Sequence, residues 1–299
     1  MLTRLFVALT ILAVLVGGYF GFDAYKQNQA KAAIVAQNLA IAKSRERVDL
    51  LIREAKAKAH QAVVKRAQEF KTFIDSKKPG AKPFSEDVVS ISGGWNAFKC
   101  QLPGTAKNCY DEYIAAKFNE HIFTPDDFRA ATSRAIKGGL QDIDGIENQL
   151  AVDLREVIDG RSLTLAERPL EVAKFKGAIE SARQSASNGV VKEAGGLVAA
   201  EVFTQIATQV AVRLGVSAGI WTMAAGSSWW TLGGSIFLGL IANLIWNYYT
   251  QPAQTVEASM VVELDKMADS GSAVIRDELT KKVAARSQLW HTTASEKFQ

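Results

Sequence analysis

The sequence lacks the patterns that usually mark an enzyme. Its 299 residues include three histidines, His60, His121 and His291, which are too far apart in the sequence to form a metal motif. A phosphate-binding loop, a dinucleotide-binding fingerprint, a nucleophile elbow and an H-E-x-x-H pair are all absent from it. We therefore expect a non-enzymatic protein with no catalytic residues, no cofactor and no bound metal.

Two groups of residues come nearest to a catalytic or metal-binding pattern. The acidic stretch 142–147 has alternating acids, as calcium loops do, but it lacks the remaining ligand positions of an EF-hand. We interpret it as solvated charge on a helix. The second group is an acid–base cluster around a histidine, which surface charge explains more simply. Its members are His121, Glu120, Asp111 and Glu112.

Proline is also scarce, with six in the chain, and β-branched stretches with period-2 alternation are few. Alanine is abundant, so the sequence predicts an almost entirely helical protein. Residues 22–78 contain neither Gly nor Pro, which predicts one long helix. An imperfect heptad of Ile34, Ile41 and Val48 runs along it. This helix could pair with another copy, but the interruptions favour packing on the protein's own helices.

Charge is missing from one long stretch. Residues 214–256 contain no Asp, Glu, Lys, Arg or His, in a chain that is 22% charged overall. One membrane helix needs about 20 apolar residues, so the stretch fits two helices joined by a tight turn at residues 226–230. A G-x-x-x-G pattern in the first arm would let the two arms approach closely.

Aromatic residues mark both ends of this predicted hairpin. Two tryptophans lie at the tip, and an aromatic group lies level with Arg213 at the base, as expected at membrane interfaces. We favour a hairpin that spans a membrane. A hairpin buried in a soluble bundle, or one released from such a bundle into a bilayer, is the alternative. The candidate hairpin residues are Arg213, Gly215, Gly219, Trp229, Trp230, Gly239, Trp246, Tyr248 and Tyr249.

A second apolar segment lies at the N-terminus. Residues 5–22 carry no charge and follow Arg4. The only acceptable pair for signal-peptide cleavage is Val16 with Gly18, so we favour an uncleaved anchor. Positive charges are nearly balanced on its two sides, and the positive-inside rule therefore leaves the orientation open.

Cysteine is nearly absent, and the two that occur lie close together. Cys100 and Cys109 flank a loop with a Pro-Gly turn. Their spacing predicts a disulfide, which persists in an oxidising compartment, and two free thiols are the alternative. We therefore expect the N-terminus in the cytoplasm, the anchor in the inner (plasma) membrane, and the main body in the periplasm or an equivalent space.

The predicted fold class is all-α, a membrane-anchored helical bundle with a long N-terminal helix and a Gly-rich transmembrane, or buried, helical hairpin. In the body, Thr124 followed by Pro125 predicts a helix start. Residues 84–108 are predicted to be irregular, with Trp95 covering the helix ends. The predicted segments are an anchor (1–22), a long basic helix (23–78), a helical body (79–200), the hairpin (201–250) and a C-terminal amphipathic helix with its tail (251–299).

The expected partners are the lipid bilayer, further copies of the chain and other envelope proteins. The basic charge of residues 23–78 indicates docking on the acidic body or, alternatively, attraction to anionic lipid headgroups. Nucleic acid is a poor candidate partner, because this helix lacks interleaved aromatic side chains and the chain is expected to be exported. The sequence favours a structural or interaction scaffold of the envelope, with a pore-forming or membrane-perturbing protein acting through residues 214–249 as the alternative.

Overall fold

A computed structural model of the chain describes residues 2–100, 102, 109–186 and 253–296, excepting the side chains of residues 2–25, 27, 28, 30, 97, 110 and 111. Every regular element within these ranges is a helix, which confirms the all-helical prediction. The α-helices are α1 (Leu2–Asp75), α2 (Ala81–Val89), α3 (Ile91–Cys100), α4 (Cys109–His121), α5 (Pro125–Asp159), α6 (Glu167–Ser185) and α7 (Ala253–Glu296), with a short 3-10 turn at Lys78–Gly80.

Three long helices, α1, α5 and α7, form the centre of a helical bundle. Ion pairs show that α7 runs antiparallel to α1, and one ion pair together with the ring contact of Phe70 with Phe128 shows the same for α5. Basic residues of α1 and of the turn after it supply the cations, which agrees with a basic helix docking on acidic neighbours. These pairs are Arg66–Asp142, Lys71–Asp269 and Lys78–Asp265.

The antiparallel arrangement places the start of α7 at one end of the bundle. Asp265 of α7 pairs with Lys78, just after the end of α1. Ala253, the first residue of α7, lies twelve residues before Asp265 and therefore still farther from the N-terminal half of α1. At 1.5 Å per residue, residue 22 and the end of α1 are about 80 Å apart along the helix. The chain therefore enters α7 at the end of the bundle opposite to the start of α1.

One face of α1 becomes buried at Val48 and stays buried to the end of the helix. Ile52, Ala59 and Val63 are fully buried, whereas Ile34 and Ile41 of the predicted heptad are exposed. The buried seam thus belongs to the second half of the helix. Its residues pack on α5 and α7, and one part of this core contains Ile52 with Leu150 and Trp290.

Gly271 lies inside α7, which is continuous through it. A Cβ at this position would collide with the ring of Phe70. The missing side chain therefore allows α7 to approach α1 closely. Gly139 has the same role for α5, since a Cβ there would meet Leu279 of α7.

The region predicted to be irregular is mostly helical. α2 and α3 are joined at Ser90, whose hydroxyl accepts a hydrogen bond from the amide of Gly93 at 3.0 Å and so caps α3. A Cβ at Gly93 would collide with the carbonyl of Val88, so the corner requires glycine. The predicted disulfide is present, with the Cα atoms of Cys100 and Cys109 separated by 5.4 Å.

The predicted start of α5 is confirmed in detail. The hydroxyl of Thr124 accepts the amide of Asp127, and the Asp127 carboxylate accepts the amide of Thr124 in return. This capping box satisfies amides that the first helical turn leaves unpaired. Gly160 ends the helix in the left-handed region, at φ 65°.

Within the described part of the chain, no helix combines the length and apolarity that a membrane crossing requires. The predicted anchor at residues 1–22 falls where side chains are not described. The predicted hairpin at residues 201–250, and with it every hairpin residue from Arg213 to Tyr249, lies outside the described residues.

Candidate functional site

The described residues contain one cluster with the composition of a functional site. It joins the end of α2 to the last turns of α4. The ammonium of Lys117 lies 2.8 Å from a carboxylate oxygen of Asp87 and 2.8 Å from one of Glu120. Nε2 of His121 lies 2.9 Å from the same Asp87 oxygen and 4.0 Å from Glu120.

Apolar packing and backbone contacts hold the two helices of this cluster together. Phe84 of α2 packs edge-to-face on Phe118 of α4, with ring centroids 6.2 Å apart. The hydroxyl of Tyr113 donates to the carbonyl of Asp87 at 3.2 Å. Gly80 lies directly against the carbonyl of His121, where a Cβ would not fit. The cluster therefore rests on a fixed backbone although its side chains reach the solvent.

The electrostatics of the cluster are those of a neutralised ion-pair network. The hydrogen bond from Lys117, and after it the one from His121, lowers the pKa of the Asp87 carboxyl. Asp87 and Glu120 in turn raise the pKa of the Lys117 ammonium. Both changes favour the charged forms of Asp87 and Lys117.

One ligand atom from each of Asp87, Glu120 and His121 lies within 4.8 Å of the others, a spacing that a metal ion could use. The ammonium of Lys117, however, contacts both carboxylates and would compete with any cation. The sequence had grouped His121 with Glu120, Asp111 and Glu112, and of these acids the structure places Glu120 in the cluster. Glu112 is exposed, and the side chain of Asp111 is not described. The prediction that the chain has no metal site stays a prediction.

A second cluster is buried between α5 and α7, and the sequence-based interpretation of it was wrong. Glu147, expected to be a solvated charge, is fully buried. Its carboxylate accepts hydrogen bonds from Arg286 at 2.6 and 2.8 Å and from the indole N–H of Trp290 at 2.7 Å. Three donors satisfy the carboxylate, as a buried charge requires.

A signal for this burial was present in the sequence. Glu147 shares the helical face of Ile143, Leu150 and Leu154, all of which are buried. The other acids of the same stretch also have basic partners. Asp142 binds Arg66 of α1, and Asp144 binds Lys176 of α6 at 2.9 Å. The stretch joins α5 to three neighbouring helices and is not a cation loop.

Trp95 does not cover helix ends, as the sequence was taken to indicate. It is 56% exposed on the outer face of α3, stacked on Phe98 with ring centroids 5.5 Å apart. The ammonium of Lys99 lies 5.6 Å from the centroid of the Trp95 ring, in a cation–π arrangement. Because a side chain's direction depends on how its helix packs, sequence position alone did not reveal this exposure.

No protein-family model, curated protein or solved structure matches this chain. Its function therefore has to be argued from its own residues.

Proposed function

We propose that this chain is a non-enzymatic membrane-anchored scaffold of the cell envelope, in which a helical rod carries membrane-inserted segments at its two ends. The observation that carries the proposal is the continuity of α1, which runs as one helix from Leu2 to Asp75. The apolar residues 5–22 thus lead without interruption into the helix that forms the centre of the bundle.

The exposed part of α1 supports a spacing role. From residue 31 to residue 47 the helix lies almost entirely in solvent, and burial begins only at Val48. These residues form about 25 Å of helix between the apolar segment and the bundle. Ile34 and Leu39 are each 57% exposed on this stalk, which gives further copies of the chain an apolar surface on which to pair.

The second membrane segment is proposed from residues 214–249 of the charge-free stretch, which end just before α7 begins at Ala253. Because α7 starts at the end of the bundle opposite to the start of α1, the two apolar segments attach about 80 Å apart, from the rise per helical residue. A rod of this kind suits a spacer or assembly subunit better than an enzyme, which needs a concave site with convergent polar groups.

Two measurements test the scaffold. The full chain should resist extraction from membranes by alkaline carbonate, since apolar segments in hydrocarbon do not depend on ion pairs. Reconstituted into vesicles, it should cluster them, with a bilayer separation on the order of 80 Å in cryo-electron micrographs. Release by carbonate would contradict membrane anchoring, and dispersed single vesicles would contradict attachment at both ends.

The pore alternative is tested by ion flux through the same vesicles. Few polar side chains in residues 214–249 could line a water path, which favours the scaffold. Flux that disappears when Gly219 and Gly239 are replaced by leucine would replace the scaffold with the pore, because close helix packing depends on such glycines.

A further inference from the structure

The outer face of α3 is a continuous apolar stripe. Its members recur at the i, i+4 and i+7 positions, which lie on one side of a helix. They are Ile91, Trp95 and Phe98, exposed by 96%, 56% and 52%. A helix of a folded protein normally buries such a face, so the stripe requires a partner.

We propose that this apolar stripe docks on the surface of a lipid bilayer, at the end of the bundle where the charge-free residues 214–256 join α7. The proposal rests on the membrane scaffold proposed above. It adds that α3 is an interfacial helix, which lies in the headgroup region and does not cross the membrane.

The position of α3 favours a bilayer as the partner. α2 packs on α7, and Lys78, just before α2, pairs with Asp265 in the first half of α7. α2 leads into α3 through Ser90 alone. The stripe therefore lies beside the point where the charge-free segment meets the bundle, and a membrane that receives this segment would lie next to α3.

The chemistry of the stripe is also that of an interfacial helix. Tryptophan and phenylalanine on the apolar face, with a lysine at its edge, are typical of helices that insert about 5–10 Å into the headgroup boundary. Lys99 lies on Trp95, and its long side chain can extend to water or to lipid phosphate. The disulfide between Cys100 and Cys109 ties the end of α3 to α4, which holds the stripe in one orientation.

The test measures how deep Ile91 lies in a membrane. The full-length variant Ile91→Cys, spin-labelled under conditions that keep the native disulfide oxidised, is reconstituted in phosphatidylcholine vesicles. The matched control is Val64→Cys, which replaces another exposed aliphatic residue, 55% exposed, in the second half of α1. Both positions are open, so neither label should disturb folding.

For each label we compare its collision rate with oxygen, which concentrates in lipid, with its collision rate with a water-soluble nickel chelate. We expect the ratio of the two rates to be about threefold higher at position 91 than at position 64, because position 91 would lie in the headgroup boundary. Equal ratios would overturn the proposal. A label shielded from both reagents would also overturn it, because the stripe would then be covered by protein, either residues 187–252 of this chain or another copy.

A second measurement needs no label. The fluorescence that Trp95 contributes, obtained as the intensity of the wild type minus that of Trp95→Phe, should fall in vesicles of brominated phosphatidylcholine, and an unchanged difference would overturn the docking. Carbonate extraction of the same samples separates the two proposals. A chain that stays in the membrane while position 91 remains in water refutes the docking of α3 alone, whereas a chain that is released refutes the scaffold and the docking together.

Discussion

Two carboxylates of this protein bind basic side chains with similar geometry in opposite surroundings. Glu147 is fully buried between α5 and α7 and accepts hydrogen bonds from Arg286 and Trp290 at 2.6–2.8 Å. Asp87 keeps 41% of its side chain exposed, with Lys117 and His121 at 2.8 and 2.9 Å. Distances alone would rank the two clusters as equal.

The two clusters differ in their exposure to solvent. Water can replace a lost partner at Asp87, so this cluster contributes little to the stability of the fold and its members can exchange partners. A buried carboxylate that loses its cation has no such replacement and is left with an uncompensated charge. We therefore assign the cluster around Glu147 to the fold, and regard the one around Asp87 as the accessible one.

The largest expected effect comes from breaking the buried cluster. Arg286→Met should lower the free energy of unfolding by about 4 kcal/mol, because Glu147 keeps its charge and loses its cation. Thermal unfolding of the full-length protein in detergent, followed by far-UV circular dichroism, measures the loss.

The control for this prediction is the double variant Glu147→Gln/Arg286→Met. It removes both charges and keeps an oxygen that accepts the indole N–H of Trp290. Most of the lost stability should return, since a buried pair replaced by neutral groups costs little. A double variant as unstable as the single one would show that packing of Arg286, and not its charge, holds the helices.

Trp290→Phe tests the third donor of the same cluster. It removes the N–H that Glu147 accepts at 2.7 Å and should cost about 2 kcal/mol, as expected for a buried hydrogen bond to a charged group. Trp95→Phe is the matched control, because the side chain of Trp95 is exposed. Removing its N–H therefore leaves no buried hydrogen-bond acceptor without a donor. Equal losses in the two variants would mean that ring size, and not the hydrogen bond, explains the effect.

Structural features that are set by residues close together in the chain could be predicted from the sequence. The long α1 followed from the absence of Gly and Pro, the start of α5 from Thr124 and Pro125, and the disulfide from the spacing of two cysteines. α3 was missed because residues 84–108, which contain two adjacent glycines, were predicted to be irregular, whereas Gly93 allows close packing against α2. Local pattern cannot distinguish these two uses of glycine.

The burial of Glu147 could not be derived in the same way. Its partner Arg286 lies 139 positions later in the chain, and nothing near Glu147 identifies that residue. The spacing with Ile143 and Leu150 placed the glutamate on an apolar face, but only the packing of α7 on α5 supplies its cation. The exposure of Trp95 depended on helix packing in the same way.

The capping box of α5 gives an intermediate case, an accessible carboxylate with backbone partners. The amide of Thr124, and after it the Thr124 hydroxyl, lowers the pKa of the Asp127 carboxyl. Asp127→Asn should therefore cost about 1 kcal/mol at neutral pH. Because the pKa is lowered in the folded state, this contribution exists above the ordinary carboxyl pKa and is lost as the pH falls through the folded value.

Asp126→Asn is the control for the capping box. Asp126 lies in the same first turn, and its side chain is 84% exposed beside Arg129. Both variants lose one negative charge near the helix N-terminus, so the difference between their unfolding temperatures isolates the hydrogen bonds of the box. No difference would mean that only the charge matters.

The smallest effect is expected at Asp87, and this prediction decides whether the comparison holds. Asp87→Asn weakens the ion pair with Lys117, but both groups reach water, so the unfolding temperature at neutral pH should change only slightly and added salt should remove the change. The pKa of Asp87 is lowered in the folded state, so its contribution disappears as the pH falls below the ordinary carboxyl range. Wild type and variant should therefore converge in acid. If Asp87→Asn instead destabilises the fold as much as Arg286→Met does, with no effect of salt, the exposed cluster is structural, and burial is not what separates the two.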